Sequence, residues 1–232
     1  MDELIRGVVL FVLSVMVKDL KNFFALLPLY WFDVRTVLYF CARWFITSHT
    51  LIETILPRRG IIIDLGCGEG MLANLLALRA PARTVIGFDF DERRLAKARR
   101  AALRGKITNA TFHIADALTY PLSDDIEAIV VYDVLHHISE RADQEFLIKR
   151  IANKLLPGRF LIIREPVNDD RIKGPLNSIA DRYLFYPGTA IAMRTVAEWT
   201  RLLKKNGFSV TAVRRTNHLS PFSARLLVAQ KR

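Results

Sequence analysis

The sequence predicts an α/β protein built on a doubly wound parallel sheet, and three observations carry that expectation. Between residues 60 and 163, short apolar runs rich in β-branched residues alternate with segments of helical periodicity. Two of these runs end in a carboxylate, Asp64 and Asp89, at the edge where a parallel sheet presents its strand C-termini to a ligand. Between the first run and its helix lies a glycine turn, Gly66-Cys67-Gly68-Glu69-Gly70. Such a turn permits positive φ and lets a ligand approach the backbone, while the free N–H groups of the following helix point back at it.

The N-terminal segment is the least ordinary part. Gly7–Val17 reads GVVLFVLSVMV, an apolar run too short to span a bilayer, which takes about 20 residues. No A-x-A-like cleavage site follows it, so a secretory signal is not expected. Phe23–Phe32 is rich in aromatics, broken by Pro28, and contains Tyr30 and Trp31, types that favour a membrane–water interface. Val34–Leu56 predicts one or two helices, with Arg35, Arg43 and Glu53 as their polar relief. Residues 1–50 are thus expected to form an apolar helical cap closing the substrate pocket or a membrane-interfacial segment, with a spanning helix as a third reading, and residues 51–232 the main domain.

Pro57-Arg58-Arg59-Gly60 breaks the helical pattern before Ile61–Ile63, the first strand. The helix after the glycine turn ends at Ala80-Pro81, and Thr84–Asp89 is the second strand. Asp89 lies 25 residues after Asp64, close to the offset of roughly 20 at which a carboxylate takes ribose hydroxyls. Asp91 is placed to cap a basic helix over Glu92–Arg104. Thr111–Ile114 is a third strand, and Ile126–Tyr132 a fourth, apolar enough to be central. Ser139–Leu156 is a helix and Arg159–Ile163 a fifth strand. Residues 167–194 break the rhythm with two Gly/Pro signals and an aromatic cluster, predicting an inserted lid. Thr195 opens a last helix, and Phe208–Val213 with Ala224–Ala229 read as two antiparallel closing strands.

At 232 residues with 51% hydrophobic side chains, the chain can fill one sizeable core. Cys41 and Cys67 belong to no C-x-x-C or Cys/His cluster, so neither a disulfide framework nor a metal site is expected, and the composition fits a reducing, intracellular setting. The net charge of +11 raises nucleic acid or an anionic membrane as partners. Residues 1–60 hold seven basic and five acidic side chains, so the excess belongs mainly to the remainder, densest in Arg93–Lys106. That run is read as a solvated face or as a contact for phosphates of lipid or nucleic acid.

The turn is G-x-G-x-G rather than the dinucleotide G-x-G-x-x-G, so the match to a dehydrogenase is imperfect. DLGCGEG at 64–70, GFDFD at 87–91, IADALTYPL at 114–122, DVLHHI at 133–138 and LLPGRFLIIREP at 155–166 together resemble successive motifs of the class I S-adenosylmethionine-dependent methyltransferases. The resemblance covers about residues 55–232. It implies a Rossmann-like seven-stranded sheet with its last strand antiparallel, and S-adenosylmethionine as cofactor. It also implies that Gly66, Cys67, Gly68 and Gly70 face the methionine portion, with Asp64 toward its ammonium. Asp89 would take the ribose hydroxyls, Phe90 would lie against adenine, and Asp116 would accept the adenine amino group beside the Ala117 backbone. Asp133 would border both cofactor and acceptor.

His136 and His137 follow Asp133 at the ligand edge and are the candidate catalytic residues with it, needed as bases only for a hydroxyl or protonated amine acceptor. Glu165, Arg182, Tyr183 and Tyr186 are candidate acceptor contacts. The chain lacks the [DN]-P-P-[YF] tetrad of amino-group nucleic acid methylases and a Pro-Cys nucleophile. The expected acceptor is therefore a hydrophobic small molecule or lipid, met in the cytoplasm with peripheral attachment to the inner membrane face. The alternatives are RNA methylation and a non-catalytic S-adenosylmethionine-binding partner subunit.

Overall fold

Ile61, Ile62 and Ile63 fill the middle of β1 (Gly60–Leu65) in a computed structural model, which describes residues 17–47, 49–120, 122, 125–170, 173, 190–216 and 223–232. The other strands are β2 (Arg83–Asp89), β3 (Ala110–Ile114), β4 (Ile126–Tyr132), β5 (Phe160–Pro166), β6 (Phe208–Arg215) and β7 (Ala224–Lys231). They form one seven-stranded sheet in the order β3-β2-β1-β4-β5-β7-β6. β1 to β5 pair in parallel, and β7 runs antiparallel to both β5 and β6. The expected fold class, including the antiparallel last strand, is what is found. The order reverses between β1 and β4, so the ligand crevice of an open α/β sheet falls at their C-terminal ends.

Alternation along the strands divides the core. Ile62, Val85, Ala128, Val130 and Ile162 face α4 (Met71–Arg79) and α5 (Glu92–Arg104). Ile63, Ile129, Val131, Leu161 and Leu227 face α6 (Arg141–Lys154) and α7 (Val196–Lys205). The caps expected at α5 and α7 form: Asp91 accepts from the Arg93 and Arg94 N–H groups, and Thr195 makes a capping box with Glu198.

α4 is buried from Met71 to Ala77, on every side rather than along one stripe. The reason is a second layer of helices outside it. Residues 17–26 are helical (α1), followed by a 3-10 turn at Leu27–Tyr30, α2 (Val34–Ile46) and α3 (His49–Ile55). Phe23, Leu26, Tyr30, Phe40 and Trp44 pack against Met71, Leu75 and Ala101. The Tyr30 hydroxyl donates to the Glu69 carbonyl at 3.0 Å and accepts from Asn74 Nδ2 at 2.9 Å, which ties this layer to the glycine turn. Arg83, fully buried, donates to the carbonyls of Glu53, Leu56, Pro57 and Leu76 and so fixes the end of α3.

Glu53, read as part of the polar relief of these helices, is 1% exposed and paired with Arg83. The segment expected as a lid is described only at 167–170, 173 and 190–194, where Val167 bridges Arg194. Arg182, Tyr183 and Tyr186 lie outside the described residues, as does the run Gly7–Met16. Among the described residues no helix is long and apolar enough to cross a membrane.

Candidate functional site

The glycine turn is held open by its own backbone. Gly66 and Cys67 both donate to the Phe88 carbonyl, at 2.7 and 2.9 Å, which pins the turn to β2. Gly66 has φ +75°, and a Cβ there would meet Val134 Cγ2 at 2.2 Å. Gly70, the left-handed N-cap of α4, leaves no room either, since its Cβ would lie 2.6 Å from that of Ala98. Gly68 donates to Asp89 Oδ2 at 2.8 Å, while Asp89 Oδ1 accepts from the Asp91 N–H at 3.0 Å. Asp89 thus shapes the turn as well as lining the crevice beside it.

A cavity of about 240 Å³ opens over this turn at the C-terminal edge of the sheet. It brings together Asp64, Gly66, Cys67, Asp89, Phe90, Ala117, Asp133 and His137 from the candidate residues. Gly68, Gly70, Asp116, His136 and Glu165 stand behind or beside that lining. Asp116 accepts from the Leu118 N–H at 2.7 Å, two residues along its own loop. Phe90, 80% exposed, forms one rim of the cavity.

Asp64 is a buried carboxylate of the cavity with one oxygen unmet. It is 1% exposed, and its Oδ2 has no hydrogen-bond partner among the described residues. Burial, with a smaller contribution from Asp89, pushes its pKa up to about 7. A buried carboxyl in that state is a receptor for a cation.

Asp133 is arranged in the opposite way. It adopts φ +56°, its N–H donates to the Arg164 carbonyl, and its carboxylate is bracketed by Arg164 Nη1 and by Arg43 Nη2 at 2.9 Å. Burial opposes its charge, but Arg164 and Arg43 overcome this and hold its pKa well below the usual carboxylate range. It is a fixed anion at every working pH.

The two histidines separate. His136 is buried, with Nδ1 at 2.6 Å from Glu165 Oε2, and Glu165 also accepts from the N–H groups of Val134, Leu135 and His136. Glu165 is 0% exposed and caps the 3-10 turn at Leu135–His137 rather than reaching into the cavity. His137 lines the cavity, and burial followed by the neighbouring His136 pushes its pKa down to about 3. It is neutral at physiological pH.

The far wall comes from the N-terminal helices. Tyr39 and Arg43 of α2 and His49 of α3 line the cavity with Tyr132 and with Arg94 of α5, whose Nη2 donates to the Tyr39 hydroxyl at 3.1 Å. The rings of Tyr30, Phe40, Trp44, His49 and Tyr132 follow one another at centroid distances of 5.1, 5.7, 5.3 and 5.3 Å, an aromatic column from the outer layer to the end of β4. Burial, then Arg43 and Arg164, push the His49 pKa down to about 3.

Residues 58–207 match the family described as Methyltransferase domain, well over half of the chain. The chain belongs to this methyltransferase family. A trans-aconitate 2-methyltransferase of Variovorax paradoxus is 34% identical over 118 residues, covering 51% of this chain and 43% of that protein. A demethylmenaquinone methyltransferase of Thermus thermophilus is 34% identical over 123 residues, covering 53% and 54%. The chain thus spans about half the length of these relatives. Among solved structures, magnesium protoporphyrin IX methyltransferase of Synechocystis with bound S-adenosylhomocysteine superposes with a TM-score of 0.65 at 20% identity, covering 94% of this chain and all of that one. An O-methyltransferase family 2 protein of Planctomyces limnophilus reaches 0.68 at 18% identity, covering 84% and 59%. At these identities the structures establish the fold alone.

S-adenosylmethionine is the cofactor of this methyltransferase family, and the site fits it on two observations. The unpartnered Asp64 Oδ2 suits an ammonium, and Gly66, which carries no side chain, lines the cavity with its backbone. The residues missed from sequence are Tyr39, Arg43, His49 and Arg94. No local signal marks them, since α2 also carries Arg35 and Thr36 and the partner of Arg43 lies 90 residues away.

Proposed function

We propose that this methyltransferase moves the methyl group of S-adenosylmethionine to a hydrophobic small molecule or lipid, working at a membrane surface. The observation that carries the reading is the continuity of one cavity from the glycine turn and Asp64 to the outer wall of Tyr39, Arg43, His49 and His137. Cofactor and acceptor would share that space. Its lining includes Leu65, Met71, Leu72, Phe88, Tyr132 and Val134, which suits an apolar acceptor. The acceptors named for the relatives, trans-aconitate and demethylmenaquinone, are small molecules too.

In this reading Asp64 and the glycine turn hold the methionine portion, Asp89 the ribose, and Phe90 with Asp116 and Ala117 the adenine. The bound sulfonium supplies an activated methyl group with a neutral leaving group. The chain's remaining task is alignment, and proximity is its main catalytic term. Asp133, its charge met by Arg43 and Arg164, fixes the wall beside the site. Neutral His137 orients the acceptor by hydrogen bonding, its low pKa making it a weak base. His136 acts only through Glu165, by holding the turn that presents His137.

The test is mass spectrometry of lipid, small-molecule, RNA and protein fractions after incubation with methyl-labelled S-adenosylmethionine. Label in the lipid or small-molecule fraction is expected. Label confined to RNA or protein, or cofactor binding without transfer, overturns the reading.

A further inference from the structure

The N-terminal helices carry a second surface that the cavity does not use. On α1, Val17, Leu20 and Phe24 fall on one stripe and are 50%, 50% and 64% exposed. On α2, Val34, Leu38, Cys41 and Phe45 fall within an arc of about 60° at 100° per residue, and Val34 and Leu38 are 74% and 64% exposed. Phe23 joins the stripes, lying 5.2 Å from Phe24 and 5.7 Å from Phe45. Trp31, in the turn before α2, is 62% exposed. Monomeric proteins rarely expose contiguous apolar area on this scale without a use for it.

We propose that this face, centred on Phe24, Trp31, Val34 and Leu38, docks on an anionic phospholipid bilayer. Charge complementarity selects that occupant. Arg100 lies 4.4 Å above the Phe32 ring, and Arg104 donates to the Trp31 carbonyl at 2.7 Å, so the basic helix α5 abuts the apolar face. Lys21 and Arg35 are exposed on α1 and α2 themselves. The acids of residues 17–46 are already engaged: Asp19 accepts from Trp44 and Thr50, and Asp33 caps α2 through Thr36. In sequence, the apolar run Gly7–Val17 leads directly into the first residue of the stripe. An apolar face rimmed by Lys and Arg, with tryptophan at its edge, is the chemistry of an interfacial helix.

The arrangement also places the site. Tyr39 and Arg43 project from α2 roughly opposite to Val34 and Leu38, so the cavity wall and the docking face are two sides of one helix. An acceptor drawn from the bilayer would reach the cavity within one helix diameter, roughly 10 Å. This inference deepens the membrane-side part of the proposed function and rests on it.

Trp31 is a built-in reporter, because the other two tryptophans, Trp44 and Trp199, are 2% and 1% exposed. The full chain is titrated with phosphatidylcholine vesicles containing phosphatidylglycerol, following Trp31 emission, its shielding from aqueous iodide, and vesicle co-sedimentation. A blue shift absent in Trp31→Phe, and loss of binding by about tenfold or more in Phe24→Glu/Leu38→Glu, are expected from placing two charges in the buried face. Wild-type protein that stays in solution, or a charged variant that binds as wild type, overturns the proposal. So does a dimer in light scattering that the same variant dissolves, since the face would then join two copies. Calorimetric S-adenosylmethionine affinity and methyl transfer are measured on the same variant. If both persist while wild-type vesicle binding is absent, the docking face fails and the methyltransferase reading stands.

Discussion

Asp64→Asn separates the cost of the cofactor site from its benefit. In the free protein the Asp64 pKa is about 7, against 3.8 for an unperturbed aspartate, so between those values the folded state holds a proton that the unfolded state has released. The sign follows: a carboxyl with a raised folded pKa opposes folding as pH rises through that window, and stability returns as pH falls below 7. Complete ionisation of this group costs about 4 kcal/mol of stability, from a pKa raised by roughly 3. Asparagine cannot ionise, so the stability difference between the Asp64→Asn variant and wild type should rise by about 1.4 kcal/mol per pH unit between roughly pH 5 and 6 and level off above about pH 7. Urea denaturation of both cofactor-free proteins from about pH 4.5 to 8.5 measures it. His49 and His137, with pKa values near 3, cost stability as pH falls below 6.5 in both proteins. They therefore cancel in the difference.

The same variant presents an amide N–H₂ or a neutral oxygen where, on the proposed assignment, a carboxylate would meet the cofactor's ammonium. Losing one charge-assisted hydrogen bond of about 1.5–3 kcal/mol weakens S-adenosylmethionine binding by roughly ten- to a hundredfold in calorimetry. A pH-independent stability difference refutes the buried-carboxyl account. Unchanged affinity refutes the assignment of Asp64 to the ammonium.

Gly66→Ala should abolish measurable S-adenosylmethionine binding while leaving far-ultraviolet circular dichroism near wild type, because the added methyl at φ +75° displaces Val134 at the turn without touching the sheet. Glu165→Ala leaves the N–H groups of Val134, Leu135 and His136 without their acceptor in a fully buried site, and should lower stability by about 3–5 kcal/mol in urea denaturation, with Glu165→Gln recovering part. His137→Ala should lower kcat with S-adenosylmethionine affinity intact. His136→Ala should lower stability and kcat together, and equal stability of the two variants would contradict their different placements. Asp89→Ala should weaken cofactor binding by about tenfold or more, since its Oδ2 holds the glycine turn at Gly68 while the side chain lines the cavity.

The sheet was legible because its signals are local: β-branched runs, glycine turns and caps such as Asp91 and Thr195 act through near neighbours. The sheet-edge lining of the cavity was legible for the same reason, since Asp64, Asp89 and Asp133 each mark the end of a strand. The far wall of the cavity was not. Arg43 and Asp133 are 90 residues apart, and nothing near Arg43 distinguishes an arginine facing solvent from one facing an enclosed carboxylate. The partners of Glu165 were hidden in the same way, because its donors lie in the Val134–His136 turn about 30 residues earlier in the chain. The partner of Glu53 is distant too, since Arg83 opens a strand 30 residues later.

α2 links the charge at the sheet edge to the outer surface. The Asp133 side chain is only 10% exposed, sits on a left-handed backbone and carries a full charge, a combination that is costly unless that charge is met. Arg164, from the sheet, meets one oxygen; Arg43, from α2, meets the other. Removing α2 would leave half of that pairing undone and would open the aromatic column from Tyr30 to Tyr132. The outer helices are therefore part of the site's electrostatics as well as its cover. Because one side of α2 is fixed by the cavity and by Asp133, its apolar stripe has a fixed direction relative to the sheet. A membrane bound to that stripe would consequently meet the cavity in a single orientation, which is the condition for drawing a lipid-soluble acceptor toward a site built from Asp64, Asp133 and His137.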